Sequence, residues 1–154
     1  MIRIRSALLP EHILLSLAAQ TREEALQLVC QSLRSDPRIS DWESFLQDLR
    51  KYEAAGKINL QYSLTLRHIR TSAVTELLMA FGRLTRPLQE KDGPLQFVVL
   101  VGIPLTMDAE YLRLVGTLMR VFRSDKLRGK LLRAQNPSDV IHIFEKTETG
   151  IEEE

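Results

Sequence analysis

The chain has 154 residues, 44% of them hydrophobic and 27% charged, with 21 Lys and Arg against 20 Asp and Glu. This length and balance suit one domain that buries about two thirds of the surface its unfolded chain exposes, and they argue against a fibrous or disordered chain. A net charge of +1 supplies no basic stripe for phosphate backbones, which argues against a dedicated nucleic-acid binder.

The first elements have clear local signals. Ile13-Leu14-Leu15-Ser16-Leu17 reads as a strand. Thr21 followed by Glu24 has capping-box spacing, and Ala25, Leu26, Val29 and Leu33 then form one helical face that Asp36-Pro37 ends. Asp41 caps a second helix whose apolar stripe is Trp42, Phe45, Leu46 and Leu49. From Asn59 onward strict alternation predicts a half-buried strand, with Leu60, Tyr62, Leu64 and Leu66 on one side and Gln61, Ser63, Thr65 and Arg67 on the other. His68 sits where that strand runs out, between Arg67 and Arg70.

The apolar segment Leu77–Leu84 is placed as a strand by its position between elements. Lys91-Asp92-Gly93-Pro94 is a turn, and Leu95–Pro104, β-branched and almost continuously apolar, is a strand covered on both faces. Asp108 is the expected cap of a long helix carrying Tyr111, Leu112, Val115, Leu118, Met119 and Phe122 at core spacing. Ser124–Arg133 forms a shorter helix, and Asn136-Pro137 starts another through Val140, Ile143 and Phe144. The order predicts a single α/β domain, residues 1–146, built on a mixed sheet with helices on both faces, followed by an acidic disordered tail, 147–154.

His68 is the candidate reactive group. An imidazole with an ordinary pKa of about 6.5 is nucleophilic yet easily protonated, and the forked donors of Arg67 and Arg70 match phosphate or carboxylate oxygens. The three histidines His12, His68 and His142 are too scattered to suggest a metal site. No Walker loop, paired carboxylates or activated serine calls for a cofactor or a hydrolytic reaction. Cys30, alone among apolar residues, reads as a small core side chain. No apolar run approaches the roughly 20 residues of a membrane span, so the expected location is the cytoplasm without membrane insertion.

Together these stretches resemble a family. Thr21-Arg22-Glu23-Glu24-Ala25 after the first strand, Glu53, Leu64–Arg70 with Ala73-Val74, Asp92-Gly93-Pro94-Leu95, Tyr111–Leu114 with Leu118, and Leu131–Ala134 before Asn136–Val140 fall in the order and spacing of the IIA component. The class is that of the fructose and mannitol IIA proteins of the bacterial sugar phosphotransferase system, which includes the nitrogen-regulatory IIA proteins. The resemblance covers about residues 5–145. It implies a mannitol-type IIA-like fold and a phosphoryl carrier at His68, charged by the histidine phosphocarrier protein and discharged to a IIB domain or acting on a regulated protein. Arg67 and Arg70 are then the anion clamps, with Glu53 in support.

Several positions depart from the family pattern. Arg67 stands where proline is usual, Lys57, Ile58, Asn59, Gln61 and Ser63 replace the Ser-Thr-Gly entry and spaced glycines, and Glu110 replaces a second active-site histidine. A carboxylate about 4 Å from a phosphoryl group opposes it by about 1 kcal/mol in water and about 4 kcal/mol at a half-buried site. A salt bridge between Arg67 and Glu110 would neutralise it. The alternative function is a phosphorylation-incompetent IIA-like regulatory or binding domain that works through protein partners.

Overall fold

The computed structural model describes residues 3–54, 59–60 and 62–150, with only the backbone for 52–54 and 59–60. In chain order the elements are α1 (Ile4–Ala7), a 3-10 turn (Pro10–His12), β1 (Ile13–Leu17), α2 (Arg22–Gln31), α3 (Trp42–Ala54), β2 (Asn59–Leu60) and β3 (Leu64–Arg70). They continue through β4 (Leu78–Glu90), β5 (Gly93–Ile103), α4 (Asp108–Phe122), α5 (Asp125–Arg133) and α6 (Pro137–Glu148). The five strands form one mixed sheet in the order β1-β4-β5-β3-β2. β1 pairs parallel to β4 and β3 parallel to β5, while β4–β5 and β2–β3 are antiparallel.

Local signals account for the helix starts. Thr21 Oγ1 accepts the Glu24 amide at 3.1 Å, Asp41 Oδ1 accepts that of Ser44 at 3.2 Å, Ser124 Oγ that of Leu127 at 3.1 Å, and Asn136 Oδ1 that of Asp139 at 3.0 Å with Pro137 in the first turn. Each satisfies a donor that the helix leaves open. α2 stops at Gln31 rather than at Asp36-Pro37, because residues 32–35 tighten into turns. Asp108 is not a cap. Met107 holds that position without a side-chain bond, and the Asp108 carboxylate turns instead to Arg70, at 3.0 Å.

Two apolar layers sandwich the sheet. On one face, Leu64, Leu66, Phe97, Val99 and Val101 pack with α4, α5 and α6 through Leu114, Leu118, Phe122, Leu131 and Phe144. On the other, Ile69, Leu78, Val98 and Leu100 pack with α2 and α3 through Ala25, Val29, Phe45 and Leu49. β5 sends side chains into both layers, which explains its unbroken apolar run. The observed architecture is the single α/β domain with helices on both faces that the order of elements predicts.

Further boundaries differ from expectation. The strand expected to run unbroken from Asn59 is interrupted at Tyr62 and Ser63, both in the left-handed region at φ 69° and 60°, so β2 folds back on β3 as a hairpin. β4 extends to Glu90, since its outer half pairs with the start of β5. α6 continues to Glu148, so residues 147 and 148, expected in the tail, belong to the domain: Glu148 Oε2 accepts the Ile4 amide at 2.8 Å, joining the last helix to the first. Residues 151–154 of the expected tail lie outside the described residues.

Candidate functional site

β3 and β5 run parallel and end together, with His68 beside Val101 and Arg70 beside Ile103. The chain then turns from β5 into the first turn of α4. Such an edge, at the carboxyl ends of parallel strands, is where α/β sheets place ligands. Because side chains alternate along a strand, His68 and Arg70 share the face of Leu64 and Leu66, which α4 covers. Tyr111 of α4 meets the imidazole, its ring centroid 5.4 Å away at an interplanar angle of 41°.

Burial fixes the protonation of this pair. Desolvation lowers the His68 pKa from its ordinary value and raises that of Tyr111 to about 12. At neutral pH the imidazole is therefore uncharged, with a lone pair on one nitrogen, and the phenol keeps its proton. Nδ1 of His68 is fully covered, so a group approaching from outside could meet the ring nitrogens only at Nε2. Arg70 donates from Nε to Asp108 Oδ1 at 3.0 Å and from Nη2 to the Leu105 carbonyl at 2.8 Å. This pair is half exposed, with 47% and 62% of the two side chains open to solvent, so an incoming anion can compete with Asp108 for the guanidinium. Leu105 and Leu112, 47% and 68% exposed, make an apolar rim beside it.

The other sequence candidates lie elsewhere. Arg67 is buried and alternates with His68, so it belongs to the Thr65 and Ile69 face beneath α3 and is not a second clamp beside the imidazole. Glu110 is on α4, which covers the opposite face; the sheet separates the two residues, and the expected Arg67–Glu110 salt bridge is corrected accordingly. Glu110 lines a cavity with Leu77, Arg113 and Thr117. The backbone of Glu53 belongs to α3, and its side chain, like Lys57, Ile58 and Gln61, lies outside the described residues.

Two residues of the cluster escaped the sequence reading. Tyr111 has core spacing on α4, and Asp108 has the look of a cap; their contacts with His68 and Arg70 join residues about forty positions apart, which no local pattern reports. A second polar cluster was missed for the same reason. His12 Nε2 lies 2.8 Å from Asp36 Oδ2, and Arg38 donates to both oxygens of Asp36 at 3.0 and 2.7 Å and to the Ser6 carbonyl at 2.7 Å. All three side chains are buried, and the cluster ties α1 and the 3-10 turn to the domain. Among the described residues no group of three His, Cys, Asp or Glu could hold a metal ion, and no helix is long and apolar enough to cross a membrane.

The five-stranded mixed sheet with helices on both faces has known relatives. Residues 6–147 match the family described as phosphoenolpyruvate-dependent sugar phosphotransferase system, EIIA 2, and the chain belongs to that family. It is 30% identical over 130 residues to the PTS system 2-O-alpha-mannosyl-D-glycerate-specific EIIABC component of Escherichia coli (strain K12), an alignment covering 81% of this chain and 20% of the relative. The chain thus matches about a fifth of that protein's length.

Solved structures agree on the fold. The nitrogen regulatory protein IIA-Ntr of Neisseria meningitidis superposes with a TM-score of 0.80 at 20% identity, over 92% of this chain and 98% of that one. The enzyme IIA of mannitol from Escherichia coli, in its complex with phosphorylated enzyme IIB, gives 0.71 at 17% identity, over 87% and 94%.

Proposed function

We propose that this EIIA domain carries a phosphoryl group on His68 Nε2 in a sugar-uptake or regulatory relay of the cytoplasm. The observation that carries the reading is the neutral, half-buried imidazole at the end of β3, its Nδ1 covered and an arginine on its own face. The Nε2 lone pair attacks phosphorus in line, the bond from phosphorus to the donor nitrogen breaks, and that electron pair returns to the donor ring. Arg70 exchanges Asp108 for the phosphoryl oxygens and supplies charge where it is needed. Tyr111, protonated throughout the neutral range, packs the ring in place.

The histidine phosphocarrier protein is the donor by kinship with the family. A IIB domain is the acceptor, as in the complex formed by the mannitol relative. Leu105 and Leu112 offer both partners an exposed apolar rim.

Two observations favour a second reading, a domain that regulates partners without accepting phosphate. Arg70 is already paired with a carboxylate, and the turn that family members build with glycine holds Tyr62 and Ser63. The test is incubation with phosphoenolpyruvate, enzyme I and the histidine phosphocarrier protein, followed by intact mass. A single acid-labile phosphoryl group, absent from His68→Ala, supports the carrier. An unmodified protein after complete phosphorylation of the phosphocarrier supports the regulator.

A further inference from the structure

Arg70 does more than face the site. Its Nε donates to Asp108 Oδ1 at 3.0 Å and its Nη2 to the Leu105 carbonyl at 2.8 Å. Both acceptors belong to the passage from β5 into α4, so one guanidinium ties that passage to the end of β3. Within the passage, the Met107 amide closes a turn on the Pro104 carbonyl at 3.1 Å. Met107 opens α4 without a side-chain cap, and Leu105, Thr106 and Asp108 are exposed.

We propose that Arg70 is a latch: it holds the β5–α4 loop, residues 104–107, to β3 while His68 is unmodified and releases it when His68 carries a phosphoryl group. The inference rests on the phosphoryl-carrier reading above. A guanidinium takes phosphoryl oxygens through two parallel donors, and the edge formed by Nε and Nη2 is already occupied by the loop. His68 and Arg70 lie two residues apart on one face of β3. A phosphoryl group on His68 that takes this edge therefore displaces Leu105 and Asp108 together, and its negative charge repels the Asp108 carboxylate.

The released state strands no polar group. The carbonyl of Leu105, an exposed residue, turns to water. Asp108 stays in the first turn of α4, where open amides and the helix dipole favour a carboxylate. Each state satisfies its own groups, and phosphorylation chooses between them. Leu105 moves with the loop, so the apolar rim beside His68 differs before and after transfer.

Amide hydrogen exchange, followed by NMR on the full chain, tests this at Met107 and Tyr111, whose amides bond to the Pro104 and Met107 carbonyls at 3.1 and 3.0 Å. The Arg123 amide, bonded to the Met119 carbonyl at 3.0 Å near the other end of α4, reports general loosening. In unphosphorylated protein, Arg70→Gln should raise exchange at Met107 and Tyr111 about fivefold or more, as expected for loss of an exposed charged contact, and leave Arg123 unchanged. The parent protein, treated with phosphoenolpyruvate, enzyme I and the histidine phosphocarrier protein, should show the same local rise once intact mass shows one added phosphoryl group.

Three results would overturn the latch: an Arg70→Gln variant of unchanged melting temperature that exchanges like the parent, a phosphorylated parent that keeps its protection at both amides, or a rise on phosphorylation that is as large at Arg123. In each of the last two the mass still shows the phosphoryl group, so the carrier reading stands while the latch falls. A parent that takes up no phosphoryl group removes both, and the mass spectrum tells that outcome from failure of the latch alone.

Discussion

At the scale of single residues, His68 and Arg70 carry opposite constraints. Burial holds the imidazole below its ordinary pKa, so as pH falls from about 6.5 the unfolded chain takes up a proton before the folded one. The stability of the domain should fall through that window relative to His68→Ala, and the two should run parallel above it. Urea unfolding across pH measures the difference, and a flat difference would mean that the ring is not desolvated. Arg70 is restrained by Asp108. Asp108→Asn releases it, and an exposed pair worth about 1 kcal/mol corresponds to a rise in phosphorylation rate of about fivefold. Arg70→Gln should slow the same rate by about 100-fold, the loss typical of one charge-stabilising donor. Rapid-quench labelling separates the two outcomes.

At the scale of elements, the β2–β3 hairpin stores strain just before the histidine strand. Ser63 adopts φ 60° while its carbonyl accepts the amides of Gln96 and Phe97, both at 2.9 Å, so the turn cannot relax without loosening β3 from β5. The guanidinium of Arg128 lies over the Tyr62 ring, 5.2 Å from its centroid. A β-carbon in this region costs about 1 kcal/mol or slightly more, and Ser63→Gly should stabilise the domain by about that amount in equilibrium unfolding. Gly82 on β4 makes the opposite case. A Cβ there would come within 2.7 Å of Val29 and 2.9 Å of Leu17, so Gly82→Ala should destabilise by about 1–3 kcal/mol through overpacking beneath α2. If the alanine variant unfolds at the same urea concentration as the parent, α2 does not sit that close to the sheet.

At the scale of the whole molecule, the His12–Asp36–Arg38 cluster holds the amino-terminal segment against the sheet. Burial pushes the Asp36 carboxyl up, but the bonds from Arg38 and His12 outweigh it and hold its pKa at about 2. The resulting stabilisation, about 2 kcal/mol, is present above the ordinary carboxylate value near 4 and is lost as pH falls towards 2. Asp36→Asn leaves the Arg38 charge buried without its carboxylate and should cost about 3–5 kcal/mol, measured by thermal or urea unfolding. This cluster shows where sequence reading stops. The caps at Thr21, Asp41, Ser124 and Asn136, the turn at Lys91-Asp92 and the buried run of β5 were legible because each signal lies within a few residues. The face of Arg67 was also legible, since the alternation that identifies β3 already sets it opposite His68. The pairings Arg70–Asp108, His68–Tyr111 and His12–Asp36 were not, because tertiary packing alone brings them together. Nor was the turn at Tyr62-Ser63, where neither residue is the glycine or asparagine that usually announces a positive φ.

The central claim, that His68 Nε2 accepts the phosphoryl group, is tested most directly by nitrogen-15 NMR of the histidine rings before and after treatment with the phosphorylated histidine phosphocarrier protein. The account predicts a phosphorus coupling and a large shift confined to Nε2 of His68, with His12 and His142 unchanged. Phosphorylation at Nδ1, at either other histidine, or at none of the three would contradict it.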